Sequence, residues 1–238
     1  MMKLDWEGLS NARDLGGIAL KNGGRSRARA YARSDHPLML SPCGWEQLAG
    51  YGIRTIVSLE TAGLEGGNAL RANRPVVVPE KLDITLLRMP IEDGADEQFM
   101  DRWARTGLWG TPLYFADALQ RWPSLYGDAL NGIAEAKGPI LLHCGRGHDR
   151  TGMVSLLLLT IAGATAHGIT EDYLLSSRNL LAREPRSVEM LEEALSQEGT
   201  TAFAAIQSAM DIVDGRWLHQ AGVTSSSLAT IRASLRSK

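Results

Sequence analysis

At 238 residues, 44% hydrophobic and 22% charged, the chain has the size and composition of a soluble globular protein with a sizeable core, read as one domain over 1–238. A formal net charge of −2 argues against general nucleic-acid binding, which needs a basic excess, and two cysteines, Cys43 and Cys144, make no disulfide framework. No basic-then-apolar leader opens the chain and its apolar stretch at 156–162 is too short to span a bilayer, so the cytoplasm is the default location, although a leaderless secretion route would leave no trace here.

In chain order, Trp6 to Gly17 holds the turn formers Asn11, Asp14 and Gly16-Gly17 and reads as a surface turn with an Arg13–Asp14 ion pair. From Gly23 to Asp35 charged and small residues alternate. That strand period puts Arg25, Arg27 and Arg29 on one face, either as charges guarding a sheet edge or as a stripe that attracts anions. Ser41-Pro42 fits an N-cap and a first-turn proline for a helix that buries Trp45, Leu48 and Ala49 and ends at Gly50 and Gly52. Ile53 to Leu59 is a β-branched strand. The Gly-rich segment 61–75 reads as a loop with a short helical piece, followed by strand candidates at Val76–Val78 and Ile84–Met89. An acidic loop comes next, with Glu92, Asp93, Asp96 and Glu97. Met100, Trp103, Leu108 and Trp109 belong either to a lid over a site or to the core. Thr111 to Ala136 has helical spacing, and Pro123 should kink or split it.

The chemistry lies between Pro139 and Val154. Ile140–Leu142 is a short apolar run after a Gly-Pro break, hence a buried strand, and Met153–Ile161 is a long apolar run without proline, hence a buried helix. Between them lies Cys144-Gly145-Arg146-Gly147-His148-Asp149-Arg150-Thr151. A strand, a tight glycine-containing loop and a helix N-terminus make an anion site of inward N–H groups and helix dipole. Five residues separate Cys144 from Arg150, enough to wrap one tetrahedral oxyanion. The helix end, the amides and a guanidinium all favour the Cys144 thiolate, the nucleophilic form. Arg150 has a planar fork for two phosphate oxygens, Thr151 is placed to hydrogen-bond the thiolate or assist its departure, and Gly145 and Gly147 permit the torsions required. Arg146 and His148 add positive character, a modest bias toward polyanionic substrates. A metal is poorly served by one Cys, His143, His148 and an Asp crowded on one loop, and no cofactor is called for. After the loop helix, Gly163 and Gly168 mark a break, Thr170 reads as the next N-cap, Pro185–Leu195 and Thr201–Val213 are amphipathic helices, and Ser225–Ser227 cap a final helix.

His143-Cys144-x5-Arg150-Thr151-Gly152 resembles the signature of the cysteine-dependent tyrosine and dual-specificity phosphatases. The fuller His-Cys-x-x-Gly-x-Asp-Arg-Thr-Gly form is similar to their atypical bacterial branch, some of whose members also act on phosphoinositides. Asn11-x-Arg13-Asp14-Leu15-Gly16-Gly17 resembles that branch's N-terminal signature, which packs beside the phosphate loop. Tyr31-x-Arg33-Ser34-Asp35 and Asp172–Ser176 extend the likeness along nearly the whole chain. Two positions depart from the pattern. His148 stands where Lys is usual, which would make phosphate recognition depend on pH near neutrality. Ser58-Leu59-Glu60 replaces Asp-Leu-Arg, exchanging an acid for a hydroxyl and a cation for an anion, with a consequence for substrate preference. The resemblance implies these candidates for the general acid: Asp93, on a loop after a strand, with Glu92 and Asp96 behind it, and Asp149, inside the phosphate loop. Asp149 is favoured because a carboxylate beside a bound phosphate has its pKa raised; paired to Arg150 or to a helix N–H, it would be structural instead.

The expected fold is α/β: a central, largely parallel sheet flanked by helices, the phosphate loop between a central strand and a helix, and a helical C-terminal third. The expected reaction is hydrolysis of a phosphomonoester through a cysteinyl-phosphate, on phosphotyrosine first, with dual specificity or a phosphoinositide as the alternative. In it His143 orients Cys144 through a backbone hydrogen bond. The oligomeric state is open, and Cys43 is either incidental or a redox partner of Cys144. Two other classes stand beside this reading: a phosphate-binding module without turnover, and a sulfurtransferase.

Overall fold

Among the described residues, five strands form one sheet: β1 (Arg13–Asp14), β2 (Tyr31–Ser34), β3 (Thr55–Ser58), β4 (Thr85–Arg88) and β5 (Ile140–His143), in spatial order β1-β2-β5-β3-β4, with apolar or β-branched runs in β3, β4 and β5. The computed structural model describes residues 2–61 and 75–236, so the loop and helical piece expected at 61–75 lie, but for the two end residues, outside the described residues. β1 pairs antiparallel with β2, and every other pairing is parallel, as expected. The register sets Ser34 and Ser58 level with His143, so three neighbouring strands leave the sheet side by side at their C-terminal ends.

Side chains alternate along the strands and serve two cores. Tyr31, Val57, Ile140 and Leu142 face one, and Ala32, Ile56 and Leu141 the other. The second is covered by the Pro42–Tyr51 helix through Trp45 and Leu48, joined by Trp6. Ser41 caps that helix by accepting from Gly44 N–H at 3.0 Å, as its sequence predicts. The larger core forms around the helix Asp149–Ala162, apolar on all sides and buried along nearly its whole length. Helices Phe115–Arg121, Pro123–Glu135, Ala166–Leu180, Pro185–Gln197, Ala202–Ile212, Gly215–Gln220 and Ser225–Leu235 all contribute to it. Among the described residues, no helix is long and apolar enough to cross a membrane.

Several local expectations change. Arg25, Arg27 and Arg29 do not lie on a strand; they are exposed on a loop that precedes β2, so neither the guarded edge nor the anion stripe exists. Arg25 and Arg27 spend hydrogen bonds on the carbonyls of Gly17 and Ser234, and Arg29 lies over the Tyr51 ring. Val76–Val78 forms no strand; Val76 is buried and Val77 is 73% exposed. Pro123 splits the 111–136 segment and opens its second helix. The helix after the break starts five residues earlier than expected: Thr165 caps it, and Thr170 lies inside, returning its hydroxyl to the Ala166 carbonyl. Thr224, not Ser225–Ser227, caps the last helix.

Candidate active site

The phosphate loop leaves the central strand after His143 and enters a helix at Asp149. Its outer side is held atom by atom. Gly145 C=O accepts from His36 N–H (3.2 Å), Arg146 and Gly147 C=O from Asn11 Nδ2 (3.1 Å each), and Gly147 and His148 C=O from Arg33 Nη2 (2.7 and 3.0 Å). In a trans peptide the N–H points opposite to its C=O, so these outward carbonyls turn the N–H groups of residues 146–149 inward. Gly147 has φ +68°, and a Cβ there would sit 2.2 Å from the Ser34 carbonyl oxygen, so only glycine fits against the end of β2.

A fully buried ion-pair network supports these donors. Asp172 receives Arg13 Nε at 2.7 Å and Arg33 Nη1, and Arg13 also donates to Asn11 Oδ1 (2.6 Å) and Ser176 Oγ (2.7 Å). Burial alone would raise the Asp172 carboxyl; Arg13 and Arg33 outweigh it and hold the pKa below the ordinary value. Burial and the neighbouring Arg33 push Arg13 down to about 10. The N-terminal signature therefore acts beside the loop as its resemblance implies, with Asn11 on loop carbonyls and Arg13 behind Asn11. Asp14 serves a turn, accepting from Gly16 and Arg29 N–H.

On the inner side, Cys144, Arg150 and Thr151 are buried together. Arg150 lies with its guanidinium 5.0 Å from the Trp109 ring centre and its Nε 3.8 Å from Glu92 Oε2. Burial disfavours its charge, but Glu92, Cys144 and Glu60 reverse that and raise its pKa. Arg150 Nη1 and Thr151 Oγ1 are buried without a hydrogen-bond partner among the described residues. His143 is fully buried and pushed to about 3 by burial and by neighbouring His36, so it is neutral; its Nδ1 lies 3.2 Å from the Cys144 carbonyl, the backbone contact expected of it.

The remaining loop side chains differ from expectation. His148 does not offer charge to an anion. It is buried against the Tyr173 ring and 3.4 Å from Ser177 Oγ, and burial pushes its pKa down to about 4. The pH-dependent charge expected at this position is thereby corrected: the ring is neutral near neutrality. Arg146 is charged but paired, to Asp149 Oδ2 at 2.8 Å and Glu184 at 3.3 Å. Asp149 also accepts from Tyr173 OH at 3.3 Å; burial would raise its pKa, and Arg146, His148 and Arg150 bring it below the ordinary value. Asp93 is exposed and bonds the Ala95 N–H within its own turn, while Asp96 caps a short helical turn and pairs with Arg121. Of the acidic loop, Glu92 is the residue that reaches the site: buried, bonded to Trp109 Nε1 at 2.9 Å, and raised in pKa chiefly by burial. Among the spaced aromatics, Phe99 and Trp103 are core and Trp109 covers Arg150. Cys43 is exposed, Cys144 buried, and both are free thiols.

His36, Glu60 and His143 place one ligand atom each within 4.8 Å of one another. Their hydrogen bonds fit a metal poorly. His36 Nδ1 accepts from Leu38 N–H at 3.0 Å, so its hydrogen sits on Nε2 and points to Glu60 at 3.2 Å; a metal on Nε2 would require both ring nitrogens to offer lone pairs. Burial opposes the charge of Glu60, but His36, then His143 and Arg150, bring its pKa below the ordinary value.

A thiol in a loop of inward amides, between a central parallel strand and a buried helix and closed by an arginine, is an arrangement with the chemistry to hold a phosphate. The family model of the tyrosine phosphatase family matches residues 4–237, and the chain belongs to that family. It is 28% identical over 180 residues to a candidate tyrosine-protein phosphatase of Cupriavidus necator, covering 74% of this chain and 63% of that one. It is 26% identical over 171 residues to the triple specificity protein phosphatase PtpB of Mycobacterium tuberculosis, covering 61% and 62%. The chain thus spans a little over three fifths of the length of these relatives. The solved core catalytic domain of the PP-IP phosphatase SIW14 from S. cerevisiae gives a TM-score of 0.39 at 17% identity, covering 76% of this chain and 95% of that one.

Proposed function

We propose that the chain is a phosphomonoesterase that hydrolyses phosphotyrosine in proteins through a cysteinyl-phosphate intermediate. The observation that carries this reading is the pair of buried donors, Arg150 Nη1 and Thr151 Oγ1, left without a partner among the described residues beside Cys144. Leaving such groups unpaired costs about 1–3 kcal/mol each, a cost a bound phosphate removes. The Cys144 thiolate attacks phosphorus, and the amides of residues 146–149 and Arg150 take up charge on the equatorial oxygens. Of the two expected acids, Asp149 lies in the loop and Asp93 outside the site, so Asp149 protonates the leaving oxygen once a bound dianion opposes the pull of Arg146. Water then cleaves the thiophosphate bond, with the same carboxylate as base and Thr151 aiding thiolate departure. The chain's own groups supply every step, with no metal or cofactor called upon. The cytoplasm, where thiols stay reduced, suits this nucleophile.

The test is phosphate release from an aryl phosphate and a phosphotyrosine peptide, with EDTA present, by the native chain, Cys144→Ser and Asp149→Asn. Cys144→Ser should lose at least ~10⁴-fold in kcat. Asp149→Asn should lose ~10²-fold or more on the peptide and less on an aryl phosphate with a good leaving group. Thiocyanate formation from thiosulfate and cyanide, without phosphate release, would point to a sulfurtransferase. Phosphate binding without turnover would point to a binding module.

A further inference from the structure

We propose that Glu60 sets the substrate class: it is a carboxylate at the edge of the phosphate loop that selects phosphomonoesters with no second anionic group beside the reacting phosphate, and so disfavours phosphoinositides and other polyphosphates. This rests on the phosphatase reading above. Ser58 is level with His143 across the β3–β5 pairing, so Glu60, two residues on, emerges beside the loop. Its Oε1 lies 3.6 Å from where a side chain would begin on Gly145, the residue after the nucleophile. Its Oε2 is fixed by the buried His36 ring at 3.2 Å, and that ring is fixed in turn by Leu38 N–H. The carboxylate is therefore held in place, with 21% of its side chain open to solvent.

Among the described residues, the charges around it do not offset it for a polyanion. Arg146 is committed to Asp149 and Glu184, Arg13 and Arg33 to Asp172, and Arg183 to Asp35. His143 and His148 are neutral, and Arg150 already shares its charge with Glu92. One phosphate is served by Arg150 and the loop amides; a second would meet Glu60.

The experiment compares kcat/KM on a phosphotyrosine peptide with neutral flanks and on a soluble short-chain phosphatidylinositol bisphosphate. p-Nitrophenyl phosphate serves as a control for turnover and folding. The native chain should prefer the peptide, and raising salt from 20 to 500 mM should narrow the gap, because screening weakens repulsion. Glu60→Gln should raise the bisphosphate-to-peptide ratio about 10-fold at low salt, and Glu60→Arg should raise it further. An unchanged ratio in a variant that still turns over the aryl phosphate would overturn the proposal. So would a native preference for the bisphosphate, or a gap that widens with salt, a result that needs no variant. A native chain inactive on the aryl phosphate would instead sink the phosphatase reading itself.

Discussion

The two sides of the phosphate loop are built on opposite terms. Outside, the carbonyls of residues 145–148 accept from His36, Asn11 and Arg33, and the arginines behind them close on Asp172. Inside, Arg150 Nη1 and Thr151 Oγ1 have no partner among the described residues. On the proposed reading, the difference separates stability from reactivity: the bonded carbonyls on the far side aim unsatisfied donors at a charge that would develop during reaction, so little reorganisation is needed then.

Breaking the outer side should cost the most. Asp172→Asn leaves two buried guanidinium groups without their anion, and urea denaturation should show a loss of about 3–5 kcal/mol. A loss below about 1 kcal/mol would mean that this network does not hold the loop. On the inner side, Arg150→Lys should lower kcat/KM on a phosphotyrosine peptide by ~10²–10³-fold while leaving the urea midpoint close to native. If it destabilised the chain as much as Asp172→Asn, the contrast between the two sides would fail. A gentler probe uses pH. His143 and His148 are depressed to about 3 and about 4, so below an unfolded value near 6.5 the unfolded chain binds more protons than the folded one. Stability should therefore fall as pH falls from about 6.5 toward 4, by about 1.4 kcal/mol per pH unit for each histidine. His148→Gln should remove one such share of the slope, measured by denaturation at pH 7, 6 and 5; an unchanged slope would mean that His148 is protonated in the fold.

What the sequence makes legible is what lies close in the chain. Cys144 to Thr151 is one contiguous loop whose strand and helix are marked by apolar runs and a Gly-Pro break, and the Pro123 split follows from one residue's missing N–H. Partners set by sheet register are another matter. Arg33 and Asp172 are 139 residues apart, and Glu60 meets the loop only because β3 and β5 run parallel in a given register. The sequence ranks Glu92 behind its neighbour Asp93; burial, which separates them, depends on Trp109 folding over from the next segment. The charge of His148 misleads for the same reason, since the Tyr173 ring that dehydrates it comes from a later helix. Alternation at Arg25–Arg29 has the period of a strand, yet Arg29 takes a left-handed φ of 61° and its neighbours find the carbonyls of Gly17 in a loop and Ser234 in the last helix.

The contact between Gly147 and the end of β2 carries a mechanical consequence. With no room for even a methyl group between loop and strand, the loop is seated directly on the end of the central sheet at Gly147. Phosphate capture then resembles a key entering a cast socket rather than a hand closing. Calorimetry with inorganic phosphate should accordingly register a small heat-capacity change, because little apolar surface is rearranged on binding.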